Sequence, residues 1–246
     1  MYRFYISPEQ VKGKAIRIVG SDVNHIKNVL RLEPGDWVVA CDGDGLDYIS
    51  RIDKLQPDEI HLTVEKIQDT GTELPVRITL FQGVPKKDKL ELIIQKAVEL
   101  GVGEIVPVLT KRCVVKLTEE KKITKRMDRW QAIAEAAAKQ CDRGIIPTVH
   151  EPVSFQDALA MAGQLEYGII PYELQEGIQE AREIVKTACT KKTLGIFIGP
   201  EGGFESEEVE RAIQQGIRPM TLGKRILRTE TAGMALLSIL MFQMQE

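Results

Sequence analysis

Three segments of this chain place glycine, proline and carboxylate residues where an apolar run has just ended. Ile169-Ile170-Pro171-Tyr172-Glu173 is the first. Ile196-Phe197-Ile198-Gly199-Pro200-Glu201-Gly202-Gly203 is the second, and Thr221-Leu222-Gly223-Lys224-Arg225-Ile226-Leu227-Arg228-Thr229-Glu230-Thr231-Ala232 is the third. Glycine lets a backbone come close to a ligand or adopt positive φ, while Pro200 stiffens its loop and supplies no amide donor. The second segment matches neither G-x-x-x-x-G-K-[ST] nor G-x-G-x-x-G. It also carries Glu201, and a carboxylate repels a phosphate. A ligand with cationic character, such as S-adenosylmethionine (SAM), suits it better. The same residues would serve equally as a tight turn between a strand and a helix.

The third segment adds a second candidate wall. Thr229 reads as a helix cap, with Glu230 favourable at the positive helix end. Ile226 and Leu227 form an apolar pair that can face an adenine while Arg225 and Arg228 face elsewhere. The bland alternative is that the pair is core and the arginines are solvated.

For these segments to meet, the elements before them must be parallel strands, because ligands bind outside the carboxyl ends of such strands. The pattern after Pro75 supplies them. Strands are expected at 76–84, 104–109, 167–172, 194–198 and 218–222. Helices are expected at 89–100, about 119–140, 154–161, 178–188 and 205–215, with Gly101 ending the first and Ser154 capping the third. Strands alternating with helices imply a mostly parallel sheet covered on both faces. The C-terminal run from Gly233 to Met244 is apolar nearly all round and reads as a helix buried on several sides.

The first seventy residues differ. Short strand-like runs at 3–6, 15–19, 37–41, 46–52 and 60–67 are separated by turns such as Pro34-Gly35-Asp36 and Asp42-Gly43-Asp44-Gly45. One helix, capped by Ser21, interrupts them and presents Val23, Ile26, Val29 and Leu30 on one apolar face. This is a small β-barrel-like module, and the polar stretch from Gln68 to Pro75 is a credible linker. The expected domains are 1–72 and 73–246.

Composition excludes several classes. The 246 residues are 43% hydrophobic and 28% charged, normal for a globular protein, and the net charge of −3 gives no global drive toward nucleic acid. The N-terminal residues lack the basic start and apolar run expected of a signal peptide, and the longest apolar run is too short to span a bilayer. The four cysteines contain no C-x-x-C pair and the three histidines are scattered, so no metal is expected and the thiols read as reduced in a cytoplasmic protein. Local charge is more informative. Lys111 to Arg143 holds ten basic against five acidic residues, including Lys121, Lys122, Lys125, Arg126 and Arg129. Such an excess suits a phosphate-contacting patch or a solvated helix face. Residues 1–72 hold nine basic against twelve acidic side chains, which argues against strong independent RNA binding.

Taken together the chain resembles the RsmE family of 16S ribosomal RNA (uracil-N3)-methyltransferases, in the SPOUT class of knotted methyltransferases. The resemblance rests on Ile198 to Phe204 and Leu222 to Ala232. Lys89 to Val102, Glu135 to Arg143 and His25 to Leu32 support it. It spans nearly the whole chain. Lys224 stands where relatives commonly have proline, and Lys87 where they commonly have glycine.

The resemblance implies an α/β protein: a C-terminal α/β trefoil-knot (SPOUT) domain with a mostly parallel sheet, preceded by a small PUA-like β-barrel domain. It implies bent SAM as cofactor and a homodimer. The implied cofactor-binding residues are Pro171, Tyr172, Glu173, Ile198, Gly199, Pro200, Glu201, Gly202, Leu222, Gly223, Ile226, Leu227, Arg228, Glu230, Thr231 and Ala232. Attack by uracil N3 requires loss of its proton, so the site should stabilise negative charge on the base. Arg228 and Arg143 are candidates, as guanidinium stays charged; each can instead hold phosphate or a subunit interface. Glu201 is a possible base, although a loop-shaping role fits it as well. Arg3, Arg31, Lys86, Lys89 and Arg112 are the candidate RNA contacts. The partner implied is 16S rRNA, within the assembled small ribosomal subunit. The alternatives are a SPOUT enzyme acting on another RNA, and a non-catalytic ribosome-assembly protein.

Overall fold

The computed structural model describes residues 1–114 and 120–244, without the side chains of residues 120–122. The expected helix start at Glu119 and the side chains of Lys121 and Lys122 therefore lie outside the described residues. The chain divides into two compact units, 1–73 with 138–146, and 74–137 with 147–246.

The first unit is a six-stranded, mostly antiparallel sheet. Its strands are β1 (Tyr2–Tyr5), β2 (Val11–Lys12), β3 (Ala15–Val19), β4 (Trp37–Cys41), β5 (Leu46–Leu55) and β6 (Glu59–Asp69), in the order β1-β4-β5-β6-β3-β2. The two-residue strand β2 is too short to carry a sequence signal. Side chains alternate across the sheet: in β3, Ile16 and Ile18 are buried between exposed Ala15, Arg17 and Val19. The buried side collects Phe4, Ile16, Ile18, Val38, Ala40, Ile52, Ile60, Leu62 and Val64 into one core.

The helix that interrupts these strands departs from expectation. Its cap is Gly20 at φ +80°, and Ser21 lies inside α1 (Ser21–Asn24). A π-turn over His25–Val29 comes next, closed by Leu30 N–H donating to the His25 carbonyl. A π-turn carries one residue more than an α-turn and so rotates the residues after it about the helix axis. Val23 and Ile26 stay buried, but Val29 swings out to 63% exposure.

Residues 138–146 were expected in the second domain, yet they pack in the first unit. The Gly45 N–H donates to the Gly144 carbonyl, and the Gly144 N–H donates to Thr72 Oγ1 and Glu73 Oε1. Backbone pairing between residues far apart in sequence leaves no local pattern to read.

The second unit is built on a seven-stranded sheet in which every pairing is parallel. Its strands are β7 (Arg77–Gly83), β8 (Glu104–Leu109), β9 (Thr148–Val149), β10 (Val153–Ser154), β11 (Tyr167–Pro171), β12 (Thr193–Ile198) and β13 (Arg218–Met220). The order is β10-β8-β7-β12-β11-β13, with β9 also beside β8. The helices are α2 (Lys89–Glu99), α3 (Glu120–Gln140, of which residues 138–140 belong to the first unit), α4 (Phe155–Ala162), α5 (Ile178–Ala188), α6 (Ser206–Gln214) and α7 (Thr229–Met244). Ser154 caps α4 as expected, its Oγ accepting the Asp157 N–H.

One core of this unit gathers Phe81, Val106, Phe197 and Ile170 of the strands with residues of α4 and α6. Phe81 and Phe197 stack at 4.5 Å between centroids, and Phe155 meets Phe197 edge-on. Phe204 leans on Phe155 at 5.7 Å, anchoring the end of the loop after β12. Leu236, Leu237 and Leu240 of α7 are buried, but Ile239 and Phe242 are 47% and 73% exposed. The largely apolar α7 is thus covered on one side only.

Candidate cofactor-binding site

A cleft opens at the carboxyl ends of β11, β12 and β13, where the three segments picked out in the sequence meet. It is lined by Pro171 to Glu173, by Ile198 to Phe204, by Thr221 to Gly223, and by Arg225, Ile226, Leu227, Thr229 and Ala232. The chain crosses from the sheet edge at β13 back to its centre to start α7, so the third segment lies over the second. Of the expected cofactor residues, Arg228, Glu230 and Thr231 do not line the cleft. Gly203, Phe204, Thr221, Arg225 and Thr229 do, although they were not assigned there.

Buried hydrogen bonds join the loops. Thr229 Oγ1 donates to the Gly199 carbonyl at 2.6 Å and accepts from Gln82 Nε2 at 2.9 Å. Gln82, wholly buried at the end of β7, also donates to the Gly83 carbonyl. Thr229 was expected to cap its own helix; its hydroxyl instead ties three separate segments together. The signal for Gln82 was present in the sequence as a lone amide in an apolar strand. Its partners, 147 residues away for Thr229, were not.

The second segment is held on its outer side as well. Arg112 Nη1 donates to the Gly202 carbonyl at 2.6 Å, and its guanidinium pairs with Glu205 at 2.9 Å. Glu208 is buried, and accepts the N–H groups of Lys111 and Glu205. Arg112, expected to contact RNA, is thus occupied as a loop clamp.

Glu201 points toward the turn after β7. Both its oxygens accept the Lys86 N–H, at 3.1 and 3.3 Å, and Lys89 Nζ lies 3.1 Å from Oε1. Burial pushes its carboxyl up, but its own backbone N–H, Lys89 and the Lys86 N–H outweigh this and hold it below the usual carboxylate value. A carboxylate so engaged is a poor proton acceptor, which argues against Glu201 as a base. Because the folded value is depressed, the stabilisation it gives is present at neutral pH. It is lost as pH falls below the ordinary carboxylate range through that lowered value. Lys89 also lies 3.7 Å from Glu230 Oε2, so this expected RNA contact is taken up by two carboxylates.

The remaining expected residues separate clearly. Arg143 lies in the first unit, 5% exposed, paired with Glu73, while its carbonyl accepts the Tyr5 hydroxyl. It lines no part of the cleft. We expect Glu73→Ala to destabilise the first unit by about 1–3 kcal/mol, because it removes the acceptor shared by the Arg143 guanidinium and the Gly144 and Ile145 N–H groups. Thermal unfolding checks this, and SAM affinity of the folded variant should be unchanged. Arg3 pairs with Asp47 at 2.7 Å and donates to the Asp142 carbonyl, which makes it structural. Arg31 is exposed, at φ +54°, and Lys86 is exposed too. Among the described residues no group of three His, Cys, Asp or Glu could hold a metal, and no helix is long and apolar enough to cross a membrane.

The cleft's chemistry fits SAM. Ile198, Leu222, Ile226, Leu227 and Ala232 offer apolar surface for a base. The glycine backbone of 199–203 allows close approach, and Glu173 places an exposed carboxylate at the mouth. Arg225 is the one basic side chain among the lining residues, too little for a polyphosphate.

Known proteins agree with this geometry. Residues 72–241 match the RNA methyltransferase domain model, and residues 19–65 match the RNA methyltransferase PUA domain model. Ribosomal RNA small subunit methyltransferase E of Bacillus subtilis (strain 168) is 36% identical, over 99% of this chain and 97% of that protein. The enzyme of the same name from Mesomycoplasma hyopneumoniae (strain 232) is 32% identical, over 97% and 98%. A crystal structure of Ribosomal RNA small subunit methyltransferase E from Neisseria gonorrhoeae bound to S-adenosyl methionine superposes with a TM-score of 0.79. It is 30% identical and covers 97% of this chain and 95% of that one. With a PUA-like unit leading into a parallel α/β unit of the SPOUT class, whose glycine-lined cleft has the chemistry SAM requires, this chain belongs to the ribosomal RNA small subunit methyltransferase E family.

Proposed function

We propose that this protein transfers the methyl group of SAM to N3 of a uracil in 16S ribosomal RNA. The observation that carries the reading is the cleft at the parallel strand ends, closed by two loops that Thr229 and Gln82 lock together. Bound there, SAM supplies an electrophilic methyl group on a sulfonium. The chain's residues do the rest. Glycine backbone and apolar side chains seat the cofactor, and Glu173 complements its positive charge. Arg225, at the cleft wall, and Arg228, exposed three residues on, set positive charge where the uracil oxygens become negative as N3 gives up its proton to solvent water. With Glu201 engaged by Lys86 and Lys89, positioning supplies much of the acceleration.

RNA contact is assigned to exposed cations that make no ion pair among the described residues: Lys86, Lys87, Lys224, Arg225 and Arg228, with Arg31 as one such residue on the first unit. The substrate is read as the assembled small subunit, in the cytoplasm. The exposed side of α7, with Ile239 and Phe242, is the surface on which a second copy would pack.

Nucleoside mass spectrometry of 16S rRNA from a deletion strain tests the reading. A missing N3-methyluridine, restored by the intact gene, is expected; an unchanged methylation pattern would refute it and leave an assembly factor. In purified protein, Arg225→Ala and Arg228→Ala are each expected to lower kcat/KM by roughly 10–100-fold. Arg228→Ala should leave SAM affinity intact, since Arg228 does not line the cleft.

A further inference from the structure

The turn between β7 and α2 is tied to the cofactor loop at three points. Pro200 packs on Gly83 so tightly that a Cβ there would stand 2.6 Å from the proline nitrogen. Glu201 accepts the Lys86 N–H with both oxygens, and its carboxylate pairs with Lys89 at the start of α2. Between these ties sits Lys87 at φ +57°, in the left-handed region that disfavours residues other than glycine. The side chains of Lys86 and Lys87 are exposed and make no ion pair among the described residues. One carboxylate, rooted in the loop that lines the cleft, therefore holds in place a strained turn that offers two free ammonium groups.

We infer that Glu201 is a positioning residue that couples cofactor binding to RNA binding. A filled cleft fixes residues 199–203, and Glu201 with them. The Lys86–Lys87 turn is then held in the one conformation that sets both ammonium groups toward an RNA phosphate. A ligand on either side stabilises the same arrangement, so each tightens the other by the same factor. The inference rests on the reading of the cleft as a SAM site and of RNA as the substrate.

The test uses full-length protein, S-adenosylhomocysteine as a non-reacting occupant of the cleft, and small ribosomal subunits from cells lacking this enzyme. Particle affinity is measured with and without saturating S-adenosylhomocysteine. The wild-type ratio is expected to be about tenfold, within the usual range of coupling between sites. Glu201→Ala should bring it below about twofold, and Glu201→Gln, which keeps an acceptor for the Lys86 N–H but loses the charge, should lie between. A merely structural role would weaken both affinities and leave the ratio unchanged. If Glu201→Ala does not bind S-adenosylhomocysteine, Lys89→Met, outside the cleft lining, carries the measurement and should at least halve the ratio. A wild-type ratio near one, or an unchanged ratio in the variants that still bind, would overturn the coupling. Failure of the wild-type protein to bind S-adenosylhomocysteine would instead refute the functional reading beneath it.

Discussion

Gly83→Ala is expected to abolish SAM binding and to lower the melting temperature by roughly 4–10 °C. The added methyl would stand 2.6 Å from both the nitrogen and the Cδ of Pro200, and 3.0 Å from the Gly199 carbonyl carbon. None of these atoms is the end of a flexible side chain, so the cofactor loop itself has to move. Overpacking of this kind typically costs about 1–3 kcal/mol, which in a protein of this size corresponds to a few degrees per kcal/mol. The displaced segment is the floor of the cleft, so affinity should fall further than stability. Gly202→Ala provides the control. There the methyl would meet the Arg112 side chain at 3.3 Å, and that chain can shift. Calorimetric titration of both variants with SAM checks the pair. Comparable affinities would show that the loop yields where the geometry says it cannot.

Thr229→Val is the second large effect. Valine keeps the shape but removes the hydroxyl that donates to the Gly199 carbonyl and accepts from Gln82. A buried polar group left without its partner costs about 1–3 kcal/mol; here the Gly199 carbonyl loses its donor while Gln82 keeps the Gly83 carbonyl, so a loss of roughly 1–3 kcal/mol is expected. Because the hydroxyl bridges the two loops that form the cleft, SAM affinity should drop with stability. Thr229→Ser retains the hydroxyl and should recover most of both. Denaturant unfolding with and without SAM measures the two together. A valine variant as stable as the threonine parent would mean that the bridge adds nothing in solution.

Both effects rest on contacts that local pattern does not supply. Gly83 and Gln82 close a strand whose apolar periodicity is plain. Glycine at the end of a strand marks a close backbone approach, and a lone amide among apolar residues marks a buried partner. The sequence names neither the approaching chain nor the partner. Lys87 is the converse case: a lysine gives no sign in the sequence of the left-handed backbone, at φ +57°, that it adopts.

Local periodicity was enough to define nearly all of the secondary structure, because burial of one face imposes a spacing of 2.0 or 3.6 residues on each element. Hence β3, β4, β8 and α5 were placed to the residue, and the three chemistry-bearing segments were recognised as strand ends. The glycines and Glu201 of the second segment likewise pointed away from phosphate before any fold was known. Tertiary structure decided which charges were still available. Arg143, Arg112, Lys89 and Arg3 are alike in sequence to Arg228 or Lys86, but each meets a carboxylate brought to it by the fold: Glu73, Glu205, Glu201 and Asp47. A side chain's charge is a property of its residue type. Whether that charge is free to act on a ligand depends on neighbours distant in the sequence, and only the folded chain sets those.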